Sequence, residues 1–362
     1  MPYNQSSLCG HSPVGKRKQI CNENRQACNR NALPKINTHL HSLGGQMKNV
    51  IIIDALNMFL RSYVISPHLD KKGWPVGGTI GFLKSLQKVS RDFNADEIIV
   101  AWDGHEGSQR RRSMNKDYKA GRKPVRFNRR MVEIPEDKEE ANKGYQQVRL
   151  MEYLNEMPVI QLVADYTEAD DIIALVINHP RYAGWKKTII SSDKDFFQLC
   201  REDVEIYRPI QKKVVTEQTV VDDFKIHPNN FALARAIAGD SSDNLPGIRG
   251  AGLKTIAKRF PYLIRQDEYT CADIVRDCAM QAKKLKIHEN IENNEKLIKD
   301  NYAIMQLQHP NIRPMNREII TKAIDDFEPY FEKIKFTQML FEDDAGSLNF
   351  NDLQQVFRRI KR

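Results

Sequence analysis

Three short apolar runs, each closed by an aspartate, constrain this chain more than any other feature. They are Val50-Ile51-Ile52-Ile53-Asp54, then Glu97-Ile98-Ile99-Val100-Ala101 followed by Trp102-Asp103, then Lys187-Thr188-Ile189-Ile190 followed by Ser191-Ser192-Asp193. Runs that are continuously apolar and alternate with helical stretches read as strands of a mostly parallel sheet covered on both faces. The expected class is therefore α/β. In an open sheet of this kind the carboxyl edge is where ligands bind, because neighbouring strands deliver side chains there from rigid supports. One terminal aspartate reads as a turn residue or a helix cap. Three at equivalent positions, joined by further acids, do not.

The further acids come in tight groups. Thr167-Glu168-Ala169-Asp170-Asp171 precedes the apolar Ile172-Ile173-Ala174-Leu175-Val176 and opens a helix. Thr167 as N-cap, with acids at the positive dipole end, accounts for one or two of these carboxylates and not for all three. Asp193 and Asp195 are two residues apart and face the same side of extended chain. Asp240 and Asp243 are three residues apart and are neighbours if the turn is helical. The candidate metal-binding set is Asp54, Asp103, Glu168, Asp170, Asp171, Asp193, Asp195, Asp240 and Asp243. Their mutual repulsion would destabilise any fold that gathered them without cations. Oxygen-only ligands select Mg²⁺ or Mn²⁺ over zinc, and two such ions close together suit phosphodiester hydrolysis. There is no GxxxxGK[ST] loop, no GxGxxG after a strand and no Ser/His/Asp arrangement, which argues against P-loop, dinucleotide and acyl-transfer enzymes.

Charge points to the substrate class. The net charge of +9 favours a polyanionic partner. Between His105 and Arg130 ten Lys or Arg face two acids, a local +8. That run lies in a long, weakly periodic segment, residues 104–146, longer than an ordinary connection and so functional or mobile. It contains Tyr118-Lys119-Ala120-Gly121-Arg122-Lys123, an aromatic among cations. A charge run is usually only a solvated surface. Following directly on Asp103, this one could aim Lys119 and Arg122 at a phosphate and offer Tyr118 for stacking on a base, with Lys123 beside it. Downstream, Asp243-Asn244-Leu245-Pro246-Gly247-Ile248-Arg249-Gly250-Ala251-Gly252-Leu253-Lys254-Thr255 sets Gly247, Gly250 and Gly252 in a turn that enters a helix. Glycine permits close backbone approach, and a helix start offers N–H groups to phosphate. Next to the acids this looks like a helix-hairpin-helix near residues 239–260, with Lys254 and Lys258 as further phosphate contacts.

Organisation follows from composition. Residues 1–46 are polar and aperiodic and read as a disordered leader or an artefact of start-codon assignment; the folded chain begins near Met47. An α/β unit over 47–221, a helical nucleic-acid-binding region over 222–341 and a basic tail over 342–362 are expected. The six cysteines, Cys9, Cys21, Cys28, Cys200, Cys271 and Cys278, include no CxxC pair, so neither a disulfide framework nor a zinc site is indicated. No stretch approaches the ~18 uninterrupted apolar residues of a membrane span, and no secretory signal is present. A soluble cytoplasmic protein in a reducing compartment is the expectation.

Taken together, Ile53-Asp54-Ala55-Leu56-Asn57, Ala101-Trp102-Asp103, Tyr118-Lys119-Ala120-Gly121-Arg122, Glu168-Ala169-Asp170-Asp171, Ser192-Asp193-Lys194-Asp195 and Gly239-Asp240-Ser241-Ser242-Asp243-Asn244-Leu245-Pro246-Gly247 resemble, in order and spacing, the 5′ nuclease family. That family comprises the N-terminal nuclease domain of bacterial DNA polymerase I, phage 5′-3′ exonucleases and flap endonucleases. The resemblance runs from Met47 to about Phe341. It implies a PIN-like 5′ nuclease fold in which Asp54, Asp103, Glu168 and Asp170 surround one Mg²⁺ and Asp193, Asp195 and Asp243 lie nearer a second, with Asp171 and Asp240 acting through water. Residues 104–146 would be a helical arch for a single-stranded 5′ end, with Lys119 and Arg122 as catalytic cations. The glycine turn would be a helix-three-turn-helix gripping downstream duplex, with a potassium ion on its carbonyls. The implied substrates are DNA with 5′ flaps, nicks or ends and the RNA of RNA–DNA hybrids, in replication or repair, for a monomer that meets other replication proteins in bacterial or phage-infected cytoplasm. Gln109-Arg110-Arg111-Arg112 departs from the family's frequent Phe-Arg. No polymerase region follows before Arg362 and no sliding-clamp peptide is recognisable, so a stand-alone enzyme is expected, with Phe357-Arg358-Arg359-Ile360-Lys361-Arg362 as a basic contact tail. Two other readings are a non-catalytic DNA-junction binder, which the full acid set disfavours, and a PIN-type ribonuclease, which the glycine hairpin, the basic insertion, Asp195 and Asp240 disfavour.

Overall fold

The structure, a computed structural model, describes residues 47–360 apart from 67, 123–125, 127–133 and 347. The expected leader, its cysteines, Lys123, the middle of the expected arch and the last two residues lie outside the described residues. The described residues form one compact unit.

The α/β half runs β1 (Asn49–Asp54), α1 (Ala55–Ile65), α2 (Gly77–Asp92), β2 (Glu97–Ala101), α3 (Gln109–Met114), α4 (Glu136–Asn155), β3 (Ile160–Leu162), α5 (Ala169–Val176), β4 (Lys186–Ile190), β5 (Val204–Arg208) and β6 (Lys213–Val215). The helical half runs α6 (Glu217–Phe224), α7 (Pro228–Ala238), α8 (Leu253–Arg259), α9 (Cys271–Met280), α10 (Lys286–Asn293), α11 (Glu295–Met305), α12 (Pro314–Asp325), α13 (Lys333–Glu342) and α14 (Phe350–Ile360). The strands form a sheet of order β3-β2-β1-β4-β5-β6, parallel except for β6. Strand order reverses at β1, so the crevice at its carboxyl end is the topological switch point where such sheets bind ligands. Asp54 ends β1, and Asp103 and Asp193 follow β2 and β4, the strands on either side of it.

The continuous apolar runs explain why the sheet is buried on both sides. Because side chains alternate, Val50, Ile52, Ile99 and Ile189 enter one core with Ile172, Ile173 and Phe231, whereas Ile51, Ile53, Ile98 and Ile190 enter the other with Phe59, Phe82, Tyr153 and Phe336. The apolar runs did not single out β3, β5 or β6. β3 is a short edge strand interrupted by Gln161, and in β5 the buried Glu205 breaks the run; Lys186 Nζ at 2.8 Å and Thr188 Oγ1 at 3.2 Å satisfy it.

Two expected boundaries change. Part of the 104–146 segment is packed helix: in α4, Asn142 Nδ2 donates to the Pro75 carbonyl at 3.1 Å and Gln146 Oε1 accepts from the Gly78 amide at 2.7 Å, and both side chains are buried. The expected basic tail is instead largely the amphipathic helix α14. Leu353, Phe357 and Ile360 pack into the second core, Asp352 pairs with Arg91 at 2.7 Å, and Arg359 pairs with Asp96 at 3.3 Å. Its 3.6-residue spacing of Leu353, Val356, Phe357 and Ile360 was available in the sequence but was masked by the basic residues between them. Phe357→Ala should lower unfolding free energy by about 3–5 kcal/mol, read as a fall in urea midpoint. An unchanged midpoint would mean that α14 is not part of the folded unit.

Candidate active site

The carboxylates sit where the strands stop. Asp54 ends β1 and begins α1: its Oδ1 accepts from the Asn57 amide at 3.1 Å and its Oδ2 from Ser191 Oγ at 2.9 Å. Burial pushes its carboxyl up to about 7, against these hydrogen bonds and with the Asp103 and Asp193 charges adding to the effect. Asp103 reaches across from β2 to cap α5, accepting from the Ala169 amide at 2.8 Å. That corrects the expectation that Thr167 caps this helix. Glu168 occupies the N-cap position without a side-chain cap bond, and the Thr167 hydroxyl instead donates to the Asp165 carbonyl. With Asp103 capping the helix, Glu168 at the N-cap position and Asp170 and Asp171 in the first turn are released for other work.

Cations take up that work. Arg111 Nη1 contacts Glu168 and lies 2.8 Å from Asp171, while its Nε donates to the Ile304 carbonyl at 2.9 Å. Lys119 Nζ is 2.6 Å from Glu168 Oε1. Burial opposes the charged form of Glu168, yet Arg111 and Lys119 hold its carboxyl below the ordinary range. Asp170 is shifted well upward by burial, with Asp193, Asp54 and Glu168 adding and Lys119 opposing. Burial also raises Asp171, whose Oδ1 is buried without a partner among the described residues.

The second group lies towards the helical half. Ligand atoms of Asp195, Asp240 and Asp243 all fall within 4.8 Å of one another. Arg235 bridges two of them, at 2.6 Å from Asp195 Oδ1 and 2.5 Å from Asp240 Oδ2. Burial pushes Asp195 up to about 7, with Asp193, Asp240 and Asp243 adding and Arg235 opposing. Asp240, despite burial, is held low by Ser242 and Arg235. Asp193 lies between the two groups, and its Oδ1 accepts from the Asp195 amide at 2.8 Å.

The 117–122 turn is fastened to the hairpin. Arg122 contacts the Asp243 carboxylate, the Lys119 amide donates to the Asp243 carbonyl at 3.1 Å, and Asn244 Nδ2 donates to the carbonyls of Asp117 at 3.0 Å and Ala120 at 2.5 Å. Tyr118 departs from expectation. Its ring is 4% exposed with its hydroxyl 3.5 Å from Glu168, so in this arrangement it is packed beneath Lys119 and offers no face to a base. In the hairpin, Gly247 is required by close approach, since a Cβ there would sit 1.9 Å from the Ala238 carbonyl oxygen. Gly250 has φ +84° and Gly252 precedes α8. Lys254 and Lys258 are exposed, and from Asn244 to Gln266 there are five Lys or Arg and no acid.

The expected carboxylates and both expected cations thus converge. Arg111, Arg235 and Ser191 were not foreseen. Arg111 was one of many cations in its run, and nothing in the spacing of Arg235 links it to Asp195.

The residues fit divalent cations: the donors are all oxygen, one buried carboxylate oxygen has no partner among the described residues, and Asp54 and Asp195 resist ionisation among like charges. The contribution of Asp54 and Asp195 to the pH dependence has a definite sign. Groups whose folded pKa is raised impose no cost below the unfolded value near 3.8 and their full cost above about 7. In EDTA, the melting temperature of the protein relative to that of Asp54→Asn should therefore fall as pH rises from 4 to 7, and added Mg²⁺ should reduce that fall. A difference between the two proteins that stays constant across this window and ignores Mg²⁺ would contradict the assignment.

Comparison with known proteins agrees with this geometry. The family described as 5′-3′ exonuclease, N-terminal resolvase-like domain, matches residues 49–225. The 5′-3′ exonuclease of Aquifex aeolicus is 31% identical over 210 residues, covering 58% of this chain and 68% of that protein. The thermostable DNA polymerase I of Thermus aquaticus is 29% identical over 210 residues, and this chain spans only 23% of its length. Among solved structures, the T5 D15 protein co-crystallised with metal ions superposes with a TM-score of 0.58 at 16% identity, covering 86% of this chain and all of that one, a likeness of fold. A complex of the bacteriophage T5 D15 flap endonuclease with DNA and metal ions gives the same score. With its carboxylate rim, its fold and a relative matched over two thirds of its length, the chain belongs to the 5′-3′ exonuclease family.

Proposed function

We propose that this enzyme hydrolyses phosphodiester bonds near the 5′ ends and at the 5′ flaps of DNA, and in the RNA of RNA–DNA hybrids, using two Mg²⁺ ions for which Mn²⁺ substitutes. The observation that carries the reading is the convergence of nine carboxylates at the carboxyl edge of β1, β2 and β4, beside a two-cation turn and the acid-free basic stretch from Asn244 to Gln266. Asp54, Asp103, Glu168 and Asp170 would hold one ion; Asp193, Asp195 and Asp243 would hold the other, with Asp171 and Asp240 in support through Arg111 and Arg235. Bound there, the ions would help generate hydroxide and stabilise charge on the attacking and leaving oxygens.

The chain's own cations do the rest. Lys119 and Arg122, released from Glu168 and Asp243, turn to the scissile phosphate and neutralise its developing charge. Lys254, Lys258 and the backbone of the Gly247–Gly252 turn hold duplex phosphates without reading sequence, and the turn's carbonyls accommodate K⁺. Lys123, outside the described residues, is proposed to extend this basic path. Among the described residues no helix is long and apolar enough to cross a membrane. We place the enzyme in the cytoplasm as a monomer acting in replication or repair alongside other replication proteins.

Asp193→Asn should reduce turnover by at least about 10²-fold while leaving duplex affinity within a few-fold, because metal and grip use different residues. Loss of both together would contradict that division. Lys119→Ala should slow single-turnover cleavage by about 10²-fold or more, and an unchanged rate would remove it from the site. The deciding assay is cleavage of 5′-labelled double-flap and nicked DNA with Mg²⁺ or EDTA. Mg²⁺-dependent release of whole flaps or of short 5′ products supports the proposal; tight binding without cleavage would favour a junction-binding protein.

A further inference from the structure

Beside the carboxylate rim lies an aromatic and a cation that the chemistry above does not use. Tyr166, two residues before Glu168, has φ +60°, a left-handed conformation that bulky residues adopt only where neighbours impose it. The neighbours are evident. The Tyr166 amide donates to the His105 carbonyl at 2.7 Å, and the Gly104 amide donates to the Thr167 carbonyl at 3.0 Å. A Cβ on Gly104 would fall 1.8 Å from the Ala164 carbonyl oxygen, so the two loops touch backbone to backbone. From the other side, Asn316 Nδ2 donates to the Asp165 carbonyl at 2.7 Å and to Thr167 Oγ1 at 3.1 Å. The Tyr166 peptide is thereby locked between the loop carrying Asp103 and the start of α12.

The lock leaves the Tyr166 ring half-buried at the surface instead of in either core. Over it lies the guanidinium of the exposed Arg313, 4.2 Å from the ring centroid. A guanidinium layered on an aromatic is a flat, cationic surface that accepts a base face on one side and a phosphate at its edge, whatever the base. Bases in a duplex already stack on each other, so only an unpaired nucleotide can use it.

We propose that Tyr166 and Arg313 form a stacking subsite for one unpaired nucleobase of the strand being cut. The proposal rests on the nuclease reading of the neighbouring site. It assigns to this chain a contact that positions single-stranded nucleic acid beside Asp103 and Glu168, independent of the duplex grip of the hairpin.

The test is the affinity of the Asp193→Asn enzyme, in Mg²⁺, for a 5′-flap DNA in which an abasic site is stepped through the unpaired nucleotides nearest the junction. A fully paired DNA of equal length is the control. At one position the abasic site should weaken binding roughly 5- to 100-fold, the range expected for one stacked base. That sensitivity should vanish on adding Tyr166→Ala or Arg313→Ala and persist with Tyr166→Phe, while affinity for paired DNA stays within about twofold in all. Two results would overturn the proposal: insensitivity to the abasic site at every position, or equal loss of flap and duplex affinity in the alanine variants, which would make the pair a structural brace for α12. Abasic sensitivity that follows Tyr166 and Arg313 in a protein whose wild type never cleaves would uphold the subsite and refute the nuclease reading instead.

Discussion

Gathering nine carboxylates on one rim sets a charge-repulsion problem that the fold must solve, and the solution organises much of the molecule. At a few ångströms, like charges in a partly buried setting repel by several kcal/mol per pair at an effective dielectric near 20. Four cations answer them. Arg111 takes Glu168 and Asp171, Lys119 takes Glu168, Arg122 takes Asp243, and Arg235 takes Asp195 and Asp240. Asp54, Asp170 and Asp195 nevertheless remain shifted towards the neutral form by burial and by the neighbouring charge of Asp193. Charge is left over for metal ions, in a donor set made only of oxygen.

The same pairs tie the segments together. Arg111 carries α3 onto α11 through the Ile304 carbonyl while it holds two acids of α5. The 117–122 turn, with its cations, is fixed to the start of the hairpin by Asp243 and Asn244. Reacting groups and duplex grip are thereby joined through Asp243 itself, which contributes a carboxylate to the site and a carbonyl to the turn. The backbone of Lys119 is therefore hydrogen-bonded directly to the start of the hairpin.

Much of this was legible in the residues. The strands β1, β2 and β4 announce themselves because burial on both faces requires unbroken apolar runs, and their terminal aspartates mark the rim. The glycine turn was legible because Gly247 meets the Ala238 carbonyl, a contact no other residue type fits. What escaped was set by tertiary context. Asp103 caps a helix 66 residues away, displacing Thr167 from that role. Tyr118 lies among cations in sequence yet is packed beneath Lys119 against Glu168. Arg235 finds Asp195 across a distance that no local period encodes. In α14 the helical period was present, and the density of arginines disguised a packed face as a tail.

Every role proposed for these cations requires the carboxylate rim to be a divalent-metal centre. Anomalous diffraction from crystals of this protein grown with Mn²⁺ tests it most directly. Two peaks are predicted, one bounded by Asp54, Asp103, Glu168 and Asp170 and one by Asp193, Asp195 and Asp243, with Lys119 and Arg122 moved away from Glu168 and Asp243. An anomalous map with no peak on the rim, and with all four cations still paired as they are here, would contradict it.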